Sequence, residues 1–216
     1  MSEETVRATH MAAGGDAIAR SGDGRVVFVE GALPGETVRV AVIEERAGFA
    51  RGRLVEVVDA SPLRVEAPCP AVLAGCGGCN WQHVQRSAQL ELKRDIVLDS
   101  LRRIAKVDAP PEIGLVAIAD DAQRTTVRAG VLGGRAAFHK RHSDELVVGA
   151  GCLVAHPLVR QVLDEGRFPA ATEVTVRAGA ATGERMVVTS PRRSGVRVPE
   201  DVLVVSDQEV RTGHPA

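Results

Sequence analysis

The four cysteines of the chain, Cys69, Cys76, Cys79 and Cys152, are the residues best suited to chemistry. Three of them fall within eleven residues as C-x6-C-x2-C, and the fourth follows 73 residues later. A C-x2-C pair offers two thiolates to one metal centre. The intervening Gly77-Gly78 lets the backbone fold closely and leaves amide N–H groups able to reach sulfur. A four-cysteine zinc site ordinarily uses two short C-x2–4-C knuckles, and only one is present, so the spacing favours an iron–sulfur centre while zinc stays open. Stray disulfides or unliganded structural thiols are the blander readings, and the clustering argues against both. His83 and His156 are read as packing or capping residues, because the cysteines already complete a set of four ligands. Trp81, beside the loop, is read as an apolar cover over it.

A second constellation is basic. Lys140, Arg141 and His142 follow Phe138 and could contact phosphate, reinforced by Arg124 and Arg128 if their strands are neighbours; a solvated hairpin is the equal alternative. Arg51 and Arg53 could line a strand face that meets RNA, or simply face water. The net charge of −1 advertises no polyanion partner, so any basic surface must be local. Residues 81–107 carry six Lys/Arg against three Asp/Glu and residues 122–145 carry five against two, whereas residues 1–60 carry seven against ten. With four Phe, one Trp and no Tyr, nucleic-acid contact is expected to lean on cations and backbone rather than on aromatic stacking.

These residues need elements to hold them. Residues 5–59 alternate short apolar strands with turn signals at Gly14-Gly15, Ser21-Gly22-Asp23-Gly24, Leu33-Pro34-Gly35 and Ala47-Gly48, a small β-barrel pattern of the OB type. The Pro/Cys/Gly-rich loop from Pro68 to Cys79 has no periodicity. From about Trp81 to Ala105 the pattern turns helical, with Leu90, Val97, Leu101 and Ile104 as the apolar stripe, and Pro110-Pro111 forbids continuation. Strands are expected over Thr125–Leu132, Arg135–His139, Glu145–Gly149, Glu173–Ala178 and Arg185–Thr189, with a tight turn at Gly133-Gly134 and a short helix from about His156 to Glu165. The start Met1-Ser2-Glu3-Glu4 has no basic or apolar leader, and no stretch approaches the roughly 18 apolar residues of a membrane span, so a cytoplasmic protein without membrane contact is expected.

The string Cys69-Pro70, Cys76-Gly77-Gly78-Cys79 and Gln82-His83, followed by Gln89-Leu90, Lys93 and Leu101-Arg102-Arg103-Ile104, resembles the 23S ribosomal RNA uracil-5-methyltransferases. The preceding barrel is similar to their TRAM domain in Gly14-Gly15, Ala19-Arg20, Gly24-Arg25, Val27-Phe28-Val29 and Gly31-Ala32-Leu33-Pro34-Gly35-Glu36. Residues Phe138 to Ser143, Cys152 and His156-Pro157 resemble the family's central domain. Two departures are visible: the first cysteine gap is one residue longer than the family's C-x5-C, and Gln123 replaces a tyrosine. The resemblance implies a [4Fe–4S] cluster on Cys69, Cys76, Cys79 and Cys152, and RNA, with 23S rRNA foremost, as partner.

The resulting expectation is a mainly β protein with α elements. It comprises an OB-like TRAM barrel (1–62), a cysteine-rich cluster loop (63–80), an amphipathic helix expected to pack on a methyltransferase domain absent from the sequence (81–109), and a mixed α+β central domain supplying the fourth cysteine (110–216). Methylating C5 of uridine needs a nucleophile at C6, a methyl donor and a base for the C5 proton. All four cysteines are claimed by the cluster, and Gly14-Gly15 and Gly133-Gly134 sit in β patterns, so neither a nucleophilic cysteine nor an S-adenosylmethionine turn is present. In the family both lie in a C-terminal domain. The chain therefore reads as the RNA-binding portion of an S-adenosylmethionine-dependent methyltransferase, truncated or split and inactive alone. The alternative is a non-enzymatic RNA-binding module with a zinc or iron–sulfur site. A radical methylthiotransferase fits less well, since its cysteines are spaced C-x3-C-x2-C.

Overall fold

The computed structural model describes residues 2–118 and 122–212. Of the expected central segment 110–216, residues 119–121 and 213–216 lie outside that description. Two compact units emerge, and they cut across the four expected segments: residues 1–67 with 80–117, and residues 68–79 with 118–216.

The first unit is a closed barrel of β1 (Glu3–Met11), β2 (Ala17–Arg20), β3 (Val26–Glu30), β4 (Thr37–Glu45) and β5 (Phe49–Asp59), in the order β1-β2-β3-β5-β4. Strand alternation sorts each element: Val27 and Val29 of β3 and Val38 and Val40 of β4 point inward and are fully buried. β3 and β5 run parallel; the other neighbours are antiparallel. At the foot of the barrel the fully buried Glu36 carboxylate accepts from Leu33 N (2.8 Å), Ser61 N (3.2 Å), Arg64 Nε (2.5 Å) and Arg64 Nη2 (2.7 Å). Arg64 Nη2 also donates to Gly31 O at 2.7 Å, so one ion pair ties the β3–β4 turn to the segment leaving β5.

The long helix is shorter than expected, Arg86–Arg103 (α2), because the Gln89 side-chain amide donates to Trp81 O and Val84 O and fixes a turn ahead of it. Its packed face also differs. Ala88, Leu92 and Ile96 lie on the barrel core, while Val97 and Ile104 of the expected stripe are exposed and Leu90 and Leu101 half-buried. Trp81 packs on that same core and donates its indole N–H to Gly15 O at 3.0 Å. The expected cover over the cysteine loop is thus corrected: the contacts of Trp81 are with the barrel.

The second unit is a six-stranded sheet, β11 (Val202–Ser206), β10 (Arg185–Pro191), β9 (Ala171–Ala178), β6 (Thr126–Leu132), β7 (Arg135–His139) and β8 (Leu146–Val148), antiparallel except for β10 and β11. Helix α3 (Pro157–Glu165) lays Val159, Val162 and Leu163 on Val127, Val174, Val176 and Val187 of the sheet around the fully buried Phe168. Its N-cap is His156, whose Nδ1 accepts from Leu158 N, the capping role expected of it. Two short helices, α1 (Pro70–Leu73) and α4 (Asp207–Thr212), and the strand β11 escaped the sequence reading. The protein is mainly β with few helices, as expected, and among the described residues no helix is long and apolar enough to cross a membrane.

Candidate metal centre and basic hairpin

All four cysteines belong to the second unit, and no disulfide joins them. Cys69 is buried and precedes α1, where Pro70 occupies the first helical position that Pro suits best. The chain then turns at Gly75 and returns along the loop after β7. Cys76 forms an isolated antiparallel bridge with Lys140, Gly77 N donates to His139 O (2.9 Å), and Arg141 N donates to Gly75 O (3.1 Å). A Cβ on Gly77 would stand 3.0 Å from Arg141 Cα and 3.1 Å from Arg141 N, so a residue without a side chain is what this approach admits. Cys152 lies against the core of the sheet, in a turn closed by Ala155 N to Cys152 O (3.2 Å) and pinned by Gly151 N to Asp164 Oδ1 (2.8 Å).

The sulfurs sense one another. Burial pushes the Cys76 thiol up, the Gly78 N–H 3.5 Å from its Sγ pulls it down, and the sulfurs of Cys79 and Cys69 push it up again, while the Arg124 guanidinium opposes them. Burial likewise pushes Cys152 up, against the N–H groups of Ala155 and Val154, with Cys79 and Cys69 adding to the rise. Cys76 and Cys152, from two separate stretches of chain, each lie within electrostatic reach of Cys79 and Cys69, with backbone N–H groups at both sulfurs. Thiolates crowded in this way repel one another unless a cation accepts them. Among the described residues, no three His, Cys, Asp or Glu side chains converge as ligands of a single metal ion. Four thiolates are a donor set that zinc and iron–sulfur centres use, and N–H groups aimed at sulfur are the outer contacts of such centres.

The basic residues are distributed around this loop. Lys140 pairs with Glu145 at 2.6 Å and holds its stem over Gly75. Arg141 meets the loop through its backbone, and His142 takes the left-handed conformation that turns the hairpin. Arg124 is fixed beside the Cys152 turn through Arg124 N to Val154 O (2.8 Å) and His156 N to Arg124 O (3.0 Å). Arg128 is 74% exposed on β6 and paired with Glu173 at 2.7 Å. Arg51 and Arg53 both lie on β5 of the first unit, exposed on the outer barrel face. The hairpin singled out for phosphate contact is therefore also the shelf on which the cysteine loop rests, a role no spacing signal announces. The Glu36–Arg64 ion pair had no signal either, since its partners are 28 residues apart.

Residues 3–55 match the TRAM domain. An uncharacterized RNA methyltransferase of Corynebacterium glutamicum is 38% identical over 210 residues, 95% of this chain and 50% of that protein. Another, of Streptomyces avermitilis, is 40% identical over 93% of this chain and 49% of its own length. The 23S rRNA (uracil(1939)-C(5))-methyltransferase RlmD of Methylococcus capsulatus is 41% identical over 62% of this chain and 32% of that protein. Among solved structures, a Pyrococcus abyssi tRNA (uracil-54, C5)-methyltransferase superposes with a TM-score of 0.55 at 20% identity, over 91% of this chain and 48% of its own, a likeness of fold. The chain spans about half the length of the curated relatives it matches.

Proposed function

Since the chain carries a TRAM domain and belongs to the RNA methyltransferase family that includes 23S rRNA uracil-C5 methyltransferases, we propose that it is the RNA-binding, [4Fe–4S]-carrying portion of an S-adenosylmethionine-dependent rRNA uridine C5-methyltransferase. The observation that carries this reading is that Cys69, Cys76, Cys79 and Cys152 come from two distant stretches of chain into one unit, where burial and then the nearby sulfurs of Cys79 and Cys69 push the thiols of Cys76 and Cys152 up. Cys69, Cys76, Cys79 and Cys152 would hold the cluster, which when bound would staple the loop to the sheet. The protein's own residues do the rest. The Gly78, Val154 and Ala155 N–H groups soften charge on sulfur, and Arg124 offsets charge at Cys76. Lys140 and Arg141, carried on the same loop, and the exposed Arg128 offer cations to phosphate, so that ordering the loop orders the RNA contact.

With all four thiols engaged, none of these residues serves as the nucleophile that adds to C6 of uridine. Methyl transfer then requires the S-adenosylmethionine site and nucleophile of a methyltransferase domain, and these 216 residues contribute binding rather than chemistry. The cytoplasm, where thiolates persist, is the compartment such a site requires.

The test is anaerobic purification followed by metal analysis. About four irons per chain are expected, and both Cys152→Ser and Cys79→Ser should lose them. Stoichiometric zinc without iron would return the chain to the reading of a zinc-stapled RNA-binding module, and unchanged iron in Cys152→Ser would remove the fourth ligand. Ribosomal RNA fragments should bind with an affinity that falls steeply with salt, because phosphate contacts release counterions.

A further inference from the structure

The barrel places four residues in one transverse row on its outer face. His10 of β1 pairs with Ile18 of β2, Ile18 with Phe28 of β3, and Phe28 with Arg51 of β5. Phe49 joins from the diagonal position, its ring 5.7 Å from that of Phe28 and almost perpendicular to it, at 80°. The Arg51 guanidinium lies over both, 5.6 Å from the Phe28 centroid and 5.9 Å from that of Phe49. Core packing does not demand this arrangement: the inward positions on the same strands are Val27, Val29 and Ala50, all buried. Two of the four phenylalanines in a chain without tyrosine are thus half-exposed on a strand face, where apolar rings have no interior to fill.

Charge decides what this face can take. Arg51 Nη1 is 3.2 Å from Asp16 Oδ2 and Arg51 Nε is 3.6 Å from Glu44 Oε2. Two carboxylates along its edge leave the guanidinium poorly placed for a bidentate grip on phosphate, and they repel a phosphate that approaches it. They also tether the guanidinium beside the two rings. The Arg51 side chain is 46% exposed and both phenyl rings are partly exposed, and every nucleobase has a matching flat face without charge.

We propose that Phe28, Phe49 and Arg51 form a stacking platform for unpaired bases of single-stranded RNA. The inference rests on the RNA-binding reading above and refines it: the barrel holds bases by stacking while the basic hairpin holds phosphates. It departs from the expectation that nucleic-acid contact leans on cations and backbone rather than on aromatic stacking. Only two rings are needed once the fold brings them beside a guanidinium.

The experiment measures binding by the full chain to a short single-stranded oligoribonucleotide and to the matching duplex, by fluorescence anisotropy over a salt series. Phe28→Leu and Phe49→Leu keep an apolar side chain, and Arg51→Lys keeps the charge while losing the plane. Each should weaken single-strand binding about fivefold or more, leave duplex binding unchanged and leave the salt slope at its original value. Trp81 fluorescence verifies that the barrel is intact in each variant. Titration of uridine monophosphate into the unaltered chain provides an independent arm, expected to shift the ring-proton resonances of Phe28 and Phe49. Unaltered single-strand affinity in folded Phe28→Leu and Phe49→Leu, or a salt slope reduced by Arg51→Lys, overturns the platform alone. Failure of the unaltered chain to bind either RNA overturns the RNA-binding reading and the platform with it.

Discussion

Arg64→Met should unlatch the foot of the barrel and leave Glu36 as a fully buried carboxylate without its cation. In the intact protein that carboxylate has four hydrogen bonds, two from Arg64 and one each from Leu33 N and Ser61 N. Burial alone would raise the Glu36 pKa; the Arg64 guanidinium and the two backbone donors outweigh it and hold the group below the ordinary carboxylate range. Removing one member of a buried pair costs about 3–5 kcal/mol. Arg64 keeps 22% of its side chain exposed, so solvent screens part of the attraction and about 3 kcal/mol is the working figure. At an m-value of about 1–3 kcal/mol per molar urea, the barrel's midpoint falls by roughly 1 M or more. Trp81 is the single tryptophan and packs on the barrel core, so its fluorescence reports this unit. The pH dependence fixes the sign. A carboxylate with a lowered folded pKa stabilises above its unfolded value and loses that contribution as pH falls through the folded one. The unaltered barrel should therefore hold its midpoint at neutral pH and lose stability in acid. Arg64→Met leaves desolvation unopposed by the cation, which raises the Glu36 pKa, so the deficit of the variant should shrink as pH falls toward 4. A midpoint within roughly 0.3 M of the original at pH 7, or a deficit that grows in acid, would refute the argument.

Two further outcomes follow from the packing. Gly77→Ala forces a Cβ to within 3.0 Å of the Arg141 backbone, so the loop should lift from the hairpin at a cost of about 1–3 kcal/mol, read as lower metal retention under chelator challenge; retention equal to the original would mean the loop can shift freely. Leu92→Ala, at the buried face of α2, should destabilise the barrel unit by about 2–5 kcal/mol in urea, whereas Val97→Ser on the exposed face should stay within about 0.5 kcal/mol; equal effects would show that both faces are covered.

The elements themselves were largely legible in the sequence. The apolar run Val26–Val29 and the alternation in Val38–Val42 mark strands whatever the partner, and paired glycines with Asp and Pro mark where the chain must turn. The C-x6-C-x2-C spacing keeps three cysteines close by local reach alone, whereas only the structure puts Cys152 in the same unit with them. Periodicity was less faithful for α2, where it selected Leu90, Val97, Leu101 and Ile104, because a helix with apolar residues on two sides shows one stripe and buries another. Contacts between residues far apart in sequence belong to the tertiary structure alone. That Glu36 meets Arg64, that Trp81 serves the barrel, that Lys140 and Arg141 support the cysteine loop, and that Phe28, Phe49 and Arg51 share one face are consequences of strand order and register. Sequence patterns report which face of an element is apolar; only the closed sheet decides what stands opposite it, because pairing is set by the register of whole strands and not by any residue's own chemistry.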